Sequence, residues 1–315
     1  MIQKPVCLKK GDMIRVVAPA SSDLDNPAEV SKGLAKLHEL GFEVSLGGCV
    51  RELRTSGYLS GTDRQRAEEL NEAFRDDKVA AVFCVTGGYG TPRMLPFVDY
   101  ELIESKPKTF LGYSDITALH IAIHQKSNLV TFHGPMVISM GSEFSDYSEK
   151  CLLRAVANPE PIGEIANPID GPIIKTITEG TAFGKLVGGN ISLMAATLGS
   201  PYEINTKNKL LFVEEIDDPP YLIDRNLTAL WLAGKLQDAA GIIVGEIARS
   251  KLREGEASLS LWEVLRDRIG LAGKPAAYGF SCGHGKHHLT LPIGVEARLD
   301  ATRGVLSIEE NATER

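Results

Sequence analysis

The feature that most constrains this chain is an alternation that runs through its first half. Short runs of branched apolar residues, too brief for helices, are separated by longer stretches whose apolar residues fall three and four apart. Residues 13–18 (MIRVVA), bounded by Gly11 and Pro19, read as a strand buried on both faces. Val30, Leu34, Leu37 and Leu40 then share a helical face, Gly41 stands where that helix should stop, and residues 42–46 return as a strand. The cycle repeats with a helix over 64–74, where Ala67, Leu70 and Phe74 align, a strand over 80–85, and the loop 86–90 (TGGYG). Strands at 109–112 and 129–132 flank a helix over about 115–124. This order predicts an α/β fold: a layered, mostly parallel sheet domain over residues 1–150.

The stretch 158–172 (NPEPIGEIANPIDGP) interrupts every period with proline and glycine, which places a linker at 151–172. Beyond it, strands at 181–186, 210–215, 241–244 and 276–279 alternate with helices near 192–198 and 222–236. A terminal hairpin over 289–309 turns at Arg303-Gly304, so residues 173–315 form a second, mixed α/β domain. A chain of 315 residues, 43% hydrophobic, can bury two such cores. The net charge of −7 argues against a general nucleic-acid or anionic-membrane binder. The cysteines at 7, 49, 84, 151 and 282 form no CxxC pair and fit a reducing compartment. The opening residues reach charge too early for a signal peptide and no later run could span a bilayer, so the expected location is cytoplasmic.

Chemistry concentrates in a few places. In KTFLGYSDITALH (108–120), Ser114 sits between an apolar strand and a helix, where a tight turn can project a hydroxyl beside unpaired helix amides. On this segment alone helix capping, the commoner role of a serine before a helix, is the favoured reading over a nucleophile. A hydroxyl nucleophile needs a base. His38, His120 and His124 fall within expected helices, whereas His133 and His284 follow strands in glycine-rich loops, and either could serve. His287 and His288 crowd His284 beside Cys282, yet their spacing matches no standard zinc site. Glu214 and Glu215 end the apolar run 210–213, as solvated edge residues or as a positioned acid. Neither GGYGTPR nor GGN fits a dinucleotide loop, and no phosphate loop is present.

Taken in order, GDMIRVVAPAS (11–21), RAEELNEAF (66–74), GGYGTPRML (87–95), GYSD (112–115), HGPM (133–136), GGN (188–190), LFVEE (211–215) and GHGKHHLTLPIG (283–294) resemble the LD-carboxypeptidase family of serine peptidases. That family includes the microcin C self-immunity peptidases. The resemblance implies Ser114 as nucleophile, His284 as general base and Glu214 as its orienting acid. It also implies an oxyanion hole from the amides of Gly87, Gly88 and Asp115, and substrate contacts from Tyr89, His133, Asn190 and Arg225. The active site would lie in a cleft between the domains. The implied reaction is hydrolysis of the amide between an L-centre and a terminal D-alanine of murein tetrapeptides, by a homodimer that needs no metal or cofactor. Cleavage of aminoacyl or peptidyl nucleotide conjugates, and ligand binding without catalysis, are the alternatives. Thr86 stands where the family often has arginine, a contact that Arg225 or Lys185 could replace. The acidic motif reads Glu-Glu rather than Glu-Asp.

Overall fold

The computed structural model describes residues 2–21, 26–52, 55–251 and 257–315. Their contacts divide the chain into two units: Met1–Glu160 with Thr290–Ile293 and Ala312–Arg315, and Pro161–Leu289 with Gly294–Asn311. Both are mixed α/β.

The first unit is built on a six-stranded sheet in the order Leu291–Ile293, Thr131–His133, Thr109–Gly112, Val79–Cys84, Met13–Val17, Glu43–Leu46. The last five run parallel, and only Leu291–Ile293 is antiparallel; the inner strands Val79–Cys84, Thr109–Gly112 and Thr131–His133 are buried on both faces, as a covered parallel sheet requires. Thr62 and Gln65 form a reciprocal capping box that starts the helix Asp63–Arg75. The helix Pro27–Glu39 stops before Gly41, whose φ of 93° suits glycine. Its buried face is Val30, Gly33 and Leu37. Gly33 joins that face because a Cβ there would lie 1.9 Å from the Val137 carbonyl oxygen, a close approach that a search for apolar residues passes over.

The second unit carries an eight-stranded sheet: Gly163–Ile165, Val305–Ile308, Glu296–Asp300, Thr181–Asn190, Leu210–Ile216, Gly241–Ala248, Ala276–Tyr278, Lys175–Thr178. Its four central strands from Thr181–Asn190 to Ala276–Tyr278 are parallel, and the flanking pairs are antiparallel. The strand expected to end at 186 continues through Gly188 and Gly189 to Asn190. Gly188 is pressed so closely on Phe212 that a Cβ would meet its carbonyl oxygen at 1.8 Å, so this GGN is strand backbone. The helix Leu261–Gly270 has a capping box of Ser260 and Glu263, a signal present in the sequence as S-L-W-E.

The segment 151–172 is not a free connector. Its first residues complete the helix Asp146–Val156, and Gly163–Ile165 is an edge strand. Asn167 then pins the rest: its amide donates to the carbonyls of Pro172 (2.8 Å) and Gly279 (2.6 Å), and its Oδ1 accepts from the Ser281 amide (2.9 Å). The expected terminal hairpin is Glu296–Asp300 with Val305–Ile308, while Leu291–Ile293 leaves it for the first sheet. Among the described residues no helix is long and apolar enough to cross a membrane.

Candidate active site

In the first unit, the strand Thr109–Gly112 gives way to a 3-10 turn, Ser114–Ile116, and then to the helix Thr117–Ser127. Ser114 has φ of 66°, in the left-handed region that costs a non-glycine residue about 1 kcal/mol or more. Gly112 makes the turn sterically feasible, because a Cβ there would come within 2.9 Å of Ile116. Neither the turn nor the helix takes a side-chain cap, so Ser114 is not held as a capping residue. The helix is buried on nearly every side rather than amphipathic, which fixes the elbow from behind.

The loop 87–90 lies beside that elbow. A Cβ on Gly87 would stand 3.0 Å from the Ser114 Cβ and 3.2 Å from its Oγ, so a larger residue would crowd the hydroxyl. Ser21 holds the loop through its Oγ and its backbone amide, both donating to the Gly87 carbonyl (2.8 and 3.1 Å). From the far side, Asp115 Oδ2 accepts the Thr91 amide at 2.7 Å and the Thr91 hydroxyl donates to the Asp115 carbonyl at 2.5 Å. Burial pushes the Asp115 carboxyl up to about 6, against the opposing effect of its bonds from Thr91 and Gly90. Tyr89 is exposed on the loop, its ring 5.8 Å from that of Tyr58.

Two residues that the sequence did not single out support this arrangement. Arg66 is fully buried and donates to the carbonyls of Pro19 (2.5 Å), Gly90 (2.9 Å) and Gly61 (3.2 Å), with its charge met by Asp63 at 2.5 Å. Glu69, one turn on, accepts the amides of Ala18 and Cys49, each at 2.7 Å. The RAEELNEAF helix therefore ties Ala18 and Pro19 to Gly90 and to Cys49. Only its residue types were visible in the chain, since apart from Gly61 and Asp63 their partners lie 20 to 51 positions away.

His120 and His133 are both buried, as few histidines are. His120 bridges the Gly112 carbonyl (2.8 Å) and the Thr131 hydroxyl (2.9 Å), and burial holds it down at about 4. The folded protein thus keeps it neutral while the unfolded chain protonates it near 6.5. Stability owed to this difference is full above that value and is lost as pH falls toward 4. The expected result is a Tm that drops between pH 6.5 and 4 more steeply in the wild type than in His120→Gln. Parallel curves would contradict it. His133 packs edge-on to Tyr113 with centroids 5.9 Å apart and is only 1% exposed, so its side chain faces protein rather than solvent.

In the second unit, Glu214 and Glu215 end the strand Leu210–Ile216 and point to opposite faces. Glu214 is fully buried, and its Oε2 accepts from His284 Nδ1 at 2.6 Å. Gly283, at φ of 109°, permits this contact, since a Cβ there would lie 2.7 Å from the same oxygen. A carboxylate bonded to one ring nitrogen fixes the imidazole tautomer and orientation. Glu215 instead accepts the Asn190 amide (2.8 Å) and both the backbone amide and hydroxyl of Ser192 (2.9 and 2.7 Å). Asn190 Oδ1 accepts the Leu193 amide at 3.2 Å to cap the helix Ile191–Ala196, and only 3% of Asn190 is exposed. It therefore braces the strand end from within the protein.

Arg225 is exposed on the helix Pro220–Leu232, and Lys185 is half-buried in the strand Thr181–Asn190. The other two histidines of the GHGKHH loop have separate roles. His287 Nε2 lies 3.0 Å from Asp170, which also pairs with Lys286 at 2.6 Å, and these bonds hold the Asp170 carboxyl down at about 2. Burial, with the neighbouring His284 and His287, lowers His288 to about 4. Among the described residues no three His, Cys, Asp or Glu side chains are grouped to hold a metal ion.

The chain belongs to the LD-carboxypeptidase family: the family's N-terminal domain matches residues 14–134 and its C-terminal domain residues 183–299. It is 43% identical over 312 residues to the probable murein peptide carboxypeptidase of Bacillus subtilis (strain 168), covering 99% of this chain and 96% of that protein. The Escherichia coli microcin C7 self-immunity protein MccF is 29% identical over 324 residues, covering 93% of this chain and 91% of that protein. A solved wild-type MccF structure without ligand matches with a TM-score of 0.91 at 25% identity, over 99% of this chain and 100% of that one. The muramoyltetrapeptide carboxypeptidase of Oxalobacter formigenes matches with a TM-score of 0.82 at 25% identity, over 96% and 100% of the two chains.

Proposed function

We propose that the protein is a serine-type LD-carboxypeptidase that removes the terminal D-alanine from murein tetrapeptides in the cytoplasm, acting as a homodimer without a cofactor. The observation that carries this reading is the buried Glu214–His284 pair, an arrangement able to make an imidazole a directed proton acceptor. In this mechanism His284 Nε2 takes the Ser114 proton as Oγ attacks the scissile carbonyl. The amides of Gly87, Gly88 and Asp115 receive the developing oxyanion, and Glu214 stabilises the imidazolium. His284 then protonates the leaving D-alanine amine, and water, deprotonated by the same imidazole, releases the acyl peptide and restores the hydroxyl. Tyr89 and Arg225, both exposed, would meet the substrate directly.

The TM-score of 0.91 to MccF favours a second reading, cleavage of aminoacyl or peptidyl nucleotide conjugates. The 43% identity to a probable murein peptide carboxypeptidase favours the first. Incubating the protein with a murein tetrapeptide and, separately, with an aminoacyl sulfamoyl adenosine, followed by mass spectrometry, separates them. Loss of one D-alanine from the tetrapeptide is expected; cleavage of the conjugate alone would replace this reading with the second.

A further inference from the structure

Each glycine flanking His284 lies against a carboxylate. Gly283 faces Glu214, and a Cβ on Gly285 would fall 2.0 and 2.1 Å from the two carboxyl oxygens of Glu246. The first carboxylate bonds the imidazole. No described residue bonds the second.

Glu246 is brought there by an irregularity in the sheet. The strand Gly241–Ala248 pairs with Leu210–Ile216 as far as Val244 opposite Val213 and resumes at Ile247 opposite Glu215. Gly245 and Glu246 therefore stand across from the single residue Glu214, a bulge of the kind that re-aims a side chain. The Glu246 amide donates to the Cys282 carbonyl at 2.9 Å, and a Cβ on Gly245 would meet that carbonyl oxygen at 2.5 Å, so the bulged backbone is seated on the His284 loop. Two glycines and a bulge thus make room for one half-buried carboxyl. Burial with no compensating partner raises it to about 7. An ordinary rim glutamate would need none of these devices. A carboxylate desolvated without a partner is at its least favourable until a cation arrives.

We propose that Glu246 is a specificity-determining residue that receives a side-chain ammonium of the substrate beside His284. The terminal residue of a carboxypeptidase substrate carries a carboxylate, which Glu246 would repel, so the ammonium belongs to the acyl side of the scissile bond, on the residue preceding D-alanine. This assignment rests on the peptidase reading above and narrows its substrate to peptides with an amino side chain at that position.

The test compares L-Ala-γ-D-Glu-L-Lys-D-Ala with its norleucine analogue above neutral pH. Calorimetric binding is measured on the full chain carrying Ser114→Ala, with and without Glu246→Gln, and hydrolysis on the wild type. The lysine peptide is expected to bind about tenfold or more tightly than the norleucine peptide, and Glu246→Gln is expected to abolish that preference while leaving norleucine binding unchanged. Equal binding of the two peptides, a preference that survives Glu246→Gln, or no binding of either overturns the inference. Binding with the expected preference but no hydrolysis by the wild type would uphold the ammonium site and overturn the peptidase reading.

Discussion

Replacing Ser114 by alanine is expected to lower kcat by about three orders of magnitude or more while KM and Tm stay near wild type. The hydroxyl caps neither the 3-10 turn nor the helix that follows, so its removal breaks no helix terminus. The left-handed backbone at 114 is retained, because alanine at φ of 66° is strained about as much as serine. Gly87 leaves space beside the hydroxyl, which the smaller side chain does not disturb. Substrate binding and the loop 87–90 should persist, and with them a residual rate from oriented amides. Turnover close to wild type, measured on the tetrapeptide, would rule out a serine mechanism.

Glu214→Gln and Glu215→Gln should fail in different ways, although the two residues are adjacent and equally buried. Among the described residues Glu214 hydrogen-bonds the imidazole alone, and an amide there can donate to Nδ1 and hold the wrong tautomer. A fall in kcat of about 10³–10⁴ with little change in Tm is expected. Glu215 accepts from Asn190, from Ser192 twice and from the Ile216 amide. An amide nitrogen among those donors leaves hydrogen bonds unmade, at about 1–3 kcal/mol, while kcat should change only a few-fold. Paired kcat and Tm measurements decide the matter. A larger kcat loss at Glu215, or equal losses, would transfer the orienting role or divide it.

The layered α/β organisation was legible because it follows from period and punctuation alone. Branched runs too short for helices had to be strands, and Gly41, Asn26-Pro27 and the Thr62–Gln65 box mark helix ends within a few residues of the chain itself. The elbow at Ser114 was legible in the same way, as a strand, a glycine and a helix in immediate succession. The opposite directions of Glu214 and Glu215 follow from the strand period of two. What each would meet did not.

Which side chains stand free and which are spent inside the protein was decided only by the tertiary structure. His133 and Asn190 belong to motifs in order with the rest, yet one is closed in beside Tyr113 and the other is committed to Glu215 and a helix cap. The sequence order of a motif carries no measure of burial. The roles of Arg66, Glu69 and Glu246 were likewise out of reach. Apart from Gly61, the backbone groups that Arg66 and Glu69 hold lie 20 to 51 positions away, and Glu246 owes its direction to a bulge that exists only once two strands are paired. Local period and capping depend on neighbours within one turn or one strand. The placement of a charge against a distant carbonyl depends on how whole elements pack, and there the sequence by itself determines the residue but not its partner.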